Sequence, residues 1–335
     1  SSYDREITKY LYGGDNRYRL AQEIVLGVGG VRAIEAFGYR TIDKYHMNEG
    51  HAALGTLELY DQFKDVERAR EQCVFTTHTP VAAGHDQFDL PLARSMIGEI
   101  LPDSLLHEFT FENKLNMTRL ALFFSHYVNG VAKKHGEVSR QMFPGYAIDS
   151  ITNGVHTPTW VCEPFQRLFD KYLQGWRSDP YTLRAAFSMD KAEIWTAHME
   201  AKKKLIDFVN GRYNVGMNYD HFTIGFARRQ TAYKRPELLI SDPQRLMSIA
   251  EKAGPIQIIY AGKAHPRDGT GKDTIKKIFA AMRTINGKVK MAYVQNYDMA
   301  VGKLMTAGVA LWLNTPRRPQ EASGTSGMKA AHNGV

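Results

Sequence analysis

From residue 221 onward, short apolar runs alternate with longer helical periods, and that alternation admits few folds. Residues 221–227, 256–260, 289–294 and 309–313 read as strands, and 236–253, 272–285 and 299–306 read as helices. Strand, helix, strand in succession predicts an α/β fold with a parallel sheet covered by helices on both faces. Ligands in such sheets bind beyond the carboxyl ends of the strands. Arg228 and Arg229 follow the first strand, Gly262 and Lys263 the second, Tyr297 the third and Glu321 the fourth.

Two stretches at those strand ends carry chemistry. Arg228, Arg229, Lys234 and Arg235 fall within eight residues, just before the expected helix at 236. Guanidinium groups suit two-point hydrogen bonding to phosphate, and ammonium suits it as a point charge. A merely solvated loop is the plain alternative, but four cations beside a positive helix terminus repel one another. The second stretch is Glu321-Ala322-Ser323-Gly324-Thr325-Ser326-Gly327-Met328-Lys329, after a proline-rich turn at 315–319. Strand, loop and glycine-rich helix start present backbone N–H groups to an anion, and Gly324 and Gly327 permit close approach. Lys329 is expected in the first helical turn, where the dipole and a dry pocket both disfavour its ammonium, as Schiff-base chemistry requires. An ordinary turn with a solvent lysine stands as the alternative on local features. Gly269-Thr270-Gly271-Lys272-Asp273 is not a P-loop: the first glycine is missing at the right spacing and Asp273 stands where Ser or Thr is needed.

The first half is less regular. A turn is expected at 11–16 and a helix at 19–37, with Leu20, Ile24, Val28 and Val31 on one face and Gly27, Gly29 and Gly30 marking close helix packing. The segment from His46 through Glu49 to His51 lacks the zinc-protease spacing, so a structural or sugar-site role is preferred to metal. Residues 73–81 read as a strand ending in a polar turn, which places His78 either to bond a ligand or as a satisfied turn histidine. A second long helix is expected at 116–135. The breaker-rich loop at 151–160 marks a domain boundary, giving domains 1–152 and 153–335. Residues 181–213 are expected to be helical, with Asp190 and Glu193 forming a capping box.

The chain has 335 residues, room for two ordinary domains, and no apolar run long enough to span a bilayer. Its two cysteines fit a reducing cytoplasm rather than a disulfide framework. The +8 balance suits anionic partners, yet no dense basic run with interleaved aromatics points to nucleic acid. The start, Ser1-Ser2-Tyr3, is expected to be a cut in a longer chain.

The segment 321–329 resembles the pyridoxal-phosphate segment of the α-glucan phosphorylases, the glycogen, starch and maltodextrin phosphorylase family, and further matches run in order from about residue 10. The stretch around His46–His51 is similar to that of the short bacterial and archaeal enzymes, which lack the allosteric site. The resemblance implies two Rossmann-like domains of the GT-B glycosyltransferase arrangement, both incomplete here, with the active site in their cleft. It implies pyridoxal 5′-phosphate on Lys329, with Thr325, Ser326, Gly327, Arg228, Trp160 and Tyr297 as cofactor contacts. Arg229 and Lys234 would hold substrate phosphate. His78, Asn153, Tyr233, Glu321, Ser323 and Gly324 would contact sugar or substrate. Arg229, Lys234, Lys329 and His78 are the residues expected to carry catalysis, without a metal. The implied activity is reversible phosphorolysis of an α-1,4-glucan or maltodextrin by inorganic phosphate to glucose 1-phosphate, in a cytoplasmic enzyme that is homo-oligomeric when complete. Two alternatives remain: a nucleotide-sugar glycosyltransferase, which shares the fold but has no use for Lys329, and a non-catalytic glucan-binding remnant.

Overall fold

The computed structural model describes residues 2–10, 14–81, 84–266, 268–285 and 287–335. Residues 11–13 of the expected turn lie outside this set. The chain divides into two units, Ser1–Asn153 with Pro319–Ser323, and Gly154–Arg318 with Gly324–Val335.

In the first unit the strands are Tyr45–Asn48 (β1), Cys73–Thr76 (β2), Gln87–Asp89 (β3), Thr110–Phe111 (β4), Lys114–Asn116 (β5), Tyr127–Gly130 (β6) and Asp149–Ser150 (β7). A parallel sheet runs β1-β2-β6-β7, and a small antiparallel one runs β3-β5-β4. Met47, Phe75 and Val128 lie in register across three neighbouring strands and are all buried, so one face of the parallel sheet is core. The helix expected at 19–37 is two helices, Asn16–Leu26 and Val28–Ala36, broken at Gly27. A Cβ on Gly27 would lie 2.5 Å from the backbone N of Gly55 in the helix Leu54–Phe63, so the glycine serves close packing and the break bends the chain to achieve it. The long helix expected at 116–135 does not form. Asn116 caps a short helix, Met117–Phe123, by accepting from Arg119 N–H at 2.9 Å, and the chain then enters β6. Val128 and Val131 fit a helical period as well as a strand, but β6 has parallel partners on both edges, which decides in favour of strand. A second helix, Lys133–Met142, follows.

In the second unit the strands are Phe222–Ala227 (β8), Ile256–Ala261 (β9), Lys290–Val294 (β10) and Leu311–Trp312 (β11), all parallel, in the order β10-β9-β8-β11. Alternate residues of β9 serve opposite cores. Ile258 and Tyr260 pack with Leu246 and Ile278, while Ile259 and Ala261 pack with Leu205 and Met305. Helices therefore cover both faces, as the alternation of the sequence predicts. Strand order reverses between β8 and β11, the position at which open α/β sheets form a crevice.

Two helical expectations are corrected in their continuity. Residues 181–213 comprise a 3-10 stretch, Pro180–Ser188, and the helix Lys191–Tyr213. Asp190 caps that helix through Ala192 and Glu193 N–H at 2.8 and 3.1 Å, but Glu193 turns away to Lys171 and Tyr172, so only half of the capping box forms. Residues 236–253 divide into a 3-10 stretch, Pro236–Ile240, and the helix Pro243–Ala253, because Pro243 holds Asp242 out of helical geometry. No helix among the described residues is long and apolar enough to cross a membrane.

Candidate functional site

The loop after β8 is shaped by glycines from elsewhere in the second unit. Gln230 N–H donates to Lys263 O at 3.0 Å, and its side-chain amide donates to Ala261 O at 3.1 Å, tying the loop to the end of β9. Gly262 adopts φ 123°, and a Cβ there would sit 2.0 Å from Arg228 O. A Cβ on Gly271 would sit 2.2 Å from Gln230 O. Gly271 thus lets a helix start against the cationic loop. Gly271→Ala is expected to destabilise the protein by about 1–3 kcal/mol, since backbone must shift. Gly269→Ala, where a Cβ meets nothing within 4 Å, is the control. Equal denaturant midpoints for the two variants would remove Gly271's packing role.

The four cations have different roles. Arg228 is buried, and its Nη1 donates to Asn314 Oδ1 at 2.5 Å, which joins the carboxyl ends of β8 and β11. Lys234 is buried with its Nζ 4.8 Å from the centre of the Tyr233 ring. Arg229 is exposed. Arg235, at φ 49°, donates through Nε to Thr315 O at 2.7 Å and pins the loop to the proline-rich turn. Arg235 thus has a structural use, holding backbone carbonyls of the turn.

Gly324 precedes the helix Thr325–Ala331 in the left-handed conformation, φ 76°. Lys329 is the fifth residue of that helix and lies beyond its first turn, contrary to expectation. Its pKa is lowered, and burial is the cause. The ammonium lies 3.5 Å from the centre of the Trp160 ring, a close cation–π contact. Fully buried Asn333 fixes both partners, donating to Trp160 O at 2.9 Å and Lys329 O at 2.8 Å while accepting from Cys162 N–H at 2.7 Å. A Cβ on Gly302 would lie 3.1 Å from Tyr297 Oη and 3.8 Å from Trp160 Cζ3. Burial raises the Tyr297 pKa, while the Arg228 charge pulls it down. At the helix start, Gly327 N–H donates to Gly324 O at 3.1 Å. Thr325 and Ser326 open the helix, and its own ladder does not use their N–H groups.

Arg228, Asn314 and Gly327 thus form one contiguous group, and Lys329, Trp160, Gly302 and Tyr297 another. Among the described residues, Ser326 Oγ, Thr231 Oγ1, Gln230 Oε1 and Trp312 Nε1 are buried without a hydrogen-bond partner. Ser326 lies three residues before Lys329, at the start of the same helix, so an unpartnered hydroxyl and a half-buried lysine of lowered pKa share one short segment. Sequence reasoning misses Asn314, Gly302 and Asn333. Asn333 lies four residues after Lys329 and two past the end of its helix, and that i to i+4 spacing is the one available signal.

In the first unit a polar row crosses the carboxyl ends of the parallel strands. His46 Nε2 lies 2.7 Å from Thr76 Oγ1, and that hydroxyl donates to Asn129 Oδ1 at 2.9 Å. His78 hydrogen-bonds Asn48 through its ring, and Glu49 accepts from the His78 N–H at 2.7 Å. Burial holds the His78 pKa below its ordinary value, and its ring meets Asn48 at the end of β1. Asn153 N–H donates to Val131 O at 3.0 Å. Glu321 and Ser323 are half-buried and belong to the same unit, whereas Tyr233 and Gly324 belong to the second. Among the described residues, Glu23, His51 and Asp86 gather as a metal site would. The Arg19 guanidinium already supplies a cation there, at 3.0 Å from Glu23, 2.6 Å from His51 and 2.9 Å from Asp86.

Residues 86–335 match the family model described as carbohydrate phosphorylase. The chain is 36% identical over 372 residues to maltodextrin phosphorylase of Thermococcus litoralis, covering 99% of this chain and 44% of that protein. It is 35% identical over 388 residues to glycogen phosphorylase of Mycobacterium tuberculosis, covering 98% and 45%, and 34% identical over 382 residues to that of Aquifex aeolicus, covering 99% and 55%. The chain spans about half the length of the curated relatives it matches.

Proposed function

This chain belongs to the carbohydrate phosphorylase family, and from that premise we propose that the protein it represents carries out reversible phosphorolysis of α-1,4-glucans. A terminal glucose of glycogen or maltodextrin passes to inorganic phosphate, giving α-glucose 1-phosphate with retained configuration. The observation that carries this reading is Lys329, half-buried, made less basic by that burial and held against Trp160. A nucleotide-sugar glycosyltransferase has no use for such a lysine.

Lys329 would hold pyridoxal 5′-phosphate covalently through Nζ. The N–H groups of Thr325 and Ser326 and the Arg228 guanidinium would face its phosphate, Gly327 would allow the approach, and Trp160 and Tyr297 would flank the ring. When bound, the cofactor supplies a phosphate with a second pKa of about 6, suited to passing a proton at neutral pH. Arg229 and Lys234 bind substrate phosphate and offset the repulsion between two phosphate groups. Burial of Lys234 strengthens its share of that work, because a charge acts harder where water is excluded. Neutral His78, with Asn153 and Tyr233, hydrogen-bonds the glucose hydroxyls, and Glu321, Ser323 and Gly324 complete the substrate contacts. The domain assignment of 1–152 and 153–335, the GT-B arrangement, a homo-oligomeric state and a cytoplasmic location belong to the same proposal. Both cysteines are free, as such a location allows.

The test is phosphate-dependent release of glucose 1-phosphate from maltodextrin by the intact protein. His78→Ala and Asn153→Ala are expected to lower glucose 1-phosphate use roughly ten- to a hundredfold, the cost of losing hydrogen bonds to sugar, with cofactor absorbance intact. Loss of the cofactor band in either variant places that residue in the wrong site.

A further inference from the structure

Glu49 directly follows β1 and has φ 75° and ψ 169°. That region of backbone space is essentially reserved for glycine, and other residues stay there only when their surroundings over-determine them. Three donors converge on the buried Glu49 carboxylate. Gly50 N–H reaches Oε1 at 3.0 Å, and His78 N–H and Thr79 Oγ1 reach Oε2 at 2.7 and 2.8 Å. The Glu49 backbone is anchored too, its N–H donating to Thr76 O at 2.9 Å. Asn48, the preceding residue, meets the His78 ring. The end of β1 therefore grips His78 twice, by its main chain and by its imidazole. Glycine fits this backbone without strain, so the carboxylate is what a glutamate adds here.

We propose that Glu49 is a positioning residue for sugar recognition: its carboxylate locks the 78–79 turn and so sets the place and orientation of the His78 imidazole. The inference rests on the proposed role of His78. Glu49 acts on the sugar only through that residue. Its charge bears on the imidazole as well. Around His78, Glu49 attracts the protonated ring, while His46 and His51 repel it and burial disfavours it; His78 in turn repels His135.

Two variants separate positioning from stability. Glu49→Gly removes the carboxylate and its three hydrogen bonds but relieves the backbone, so part of the stability lost with those bonds is expected to return, and its melting temperature is measured beside the kinetics. Glu49→Gln keeps the shape and removes the charge. In the intact protein both are expected to raise the KM for glucose 1-phosphate roughly ten- to a hundredfold, the range for charge-assisted hydrogen bonds, with the KM for phosphate unchanged. The His78 imidazole, followed by NMR, is expected to titrate lower in both than in the parent. Unchanged sugar kinetics together with an unchanged imidazole titration overturn the proposal. His78→Ala tells apart the two levels of failure. If that variant loses sugar use and the Glu49 variants do not, the positioning role alone falls. If His78→Ala is also silent, the role of His78 falls with it. Hydrogen exchange at the His78 amide of the unsubstituted protein needs no variant to fold. Protection of at least about tenfold is expected for an N–H donating to a buried carboxylate, and exchange at the rate of an open loop overturns the proposal.

Discussion

Lys329→Ala is expected to abolish the pyridoxyl adduct that borohydride reduction would otherwise leave on the intact protein, from about one per chain to none. The physical basis is the environment of its Nζ. Burial lowers the lysine pKa, which raises the fraction of free amine able to attack an aldehyde. Trp160 lies under the nitrogen, and Asn333 ties the Trp160 and Lys329 carbonyls together, so the amine is held in one place. The proposed phosphate cradle draws on other residues, Arg228, Thr325 and Ser326, and is expected to survive the substitution. An amine-form cofactor should therefore bind the variant and restore part of the activity, because the proposed chemistry uses the phosphate and not the aldehyde. Peptide mass spectrometry after reduction checks this. An adduct on another lysine overturns the site assignment, and no adduct in the parent protein overturns the cofactor.

Arg229→Ala and Lys234→Ala are each expected to raise the KM for phosphate and lower turnover, with glucan binding little changed. Each lost charge-assisted contact is worth about 1.5–3 kcal/mol, or roughly ten- to a hundredfold. The two effects should differ in salt dependence. Arg229 is exposed, so its contribution is screened as ionic strength rises, whereas buried Lys234 is screened less. Phosphate kinetics measured at low and high salt separate the two. If neither variant alters them, the phosphate site lies elsewhere.

Much of the second unit was legible because its signals are local. Each strand of that sheet is an apolar run between breakers, each helix has its own period, and the segment ending in Lys329 is contiguous in the chain. The expected strand ends fall where the candidate residues stand, at Arg228, Gly262 and Tyr297. The first unit was harder to read. Its strands have two to four residues, too few to establish a period of two. Residues 127–130 satisfy a helical pattern equally well. In the second unit, Pro243 is the local sign that a helix across 236–253 breaks.

The amino-acid sequence by itself determined the parallel α/β layering of the second unit, the family, and which residue types stand at the strand ends, since periodicity and contiguous motifs are properties of neighbouring residues. Tertiary structure decided how those residues are used. It separated Arg235, spent on backbone carbonyls, from Arg228, which bonds Asn314 across 86 positions. It moved Lys329 past the first helical turn and made burial the source of its lowered pKa. It placed β6 between two partners and Glu49 beneath His78. Each of these outcomes depends on contacts between residues far apart in the chain, where packing, desolvation and hydrogen-bond satisfaction outweigh local preference.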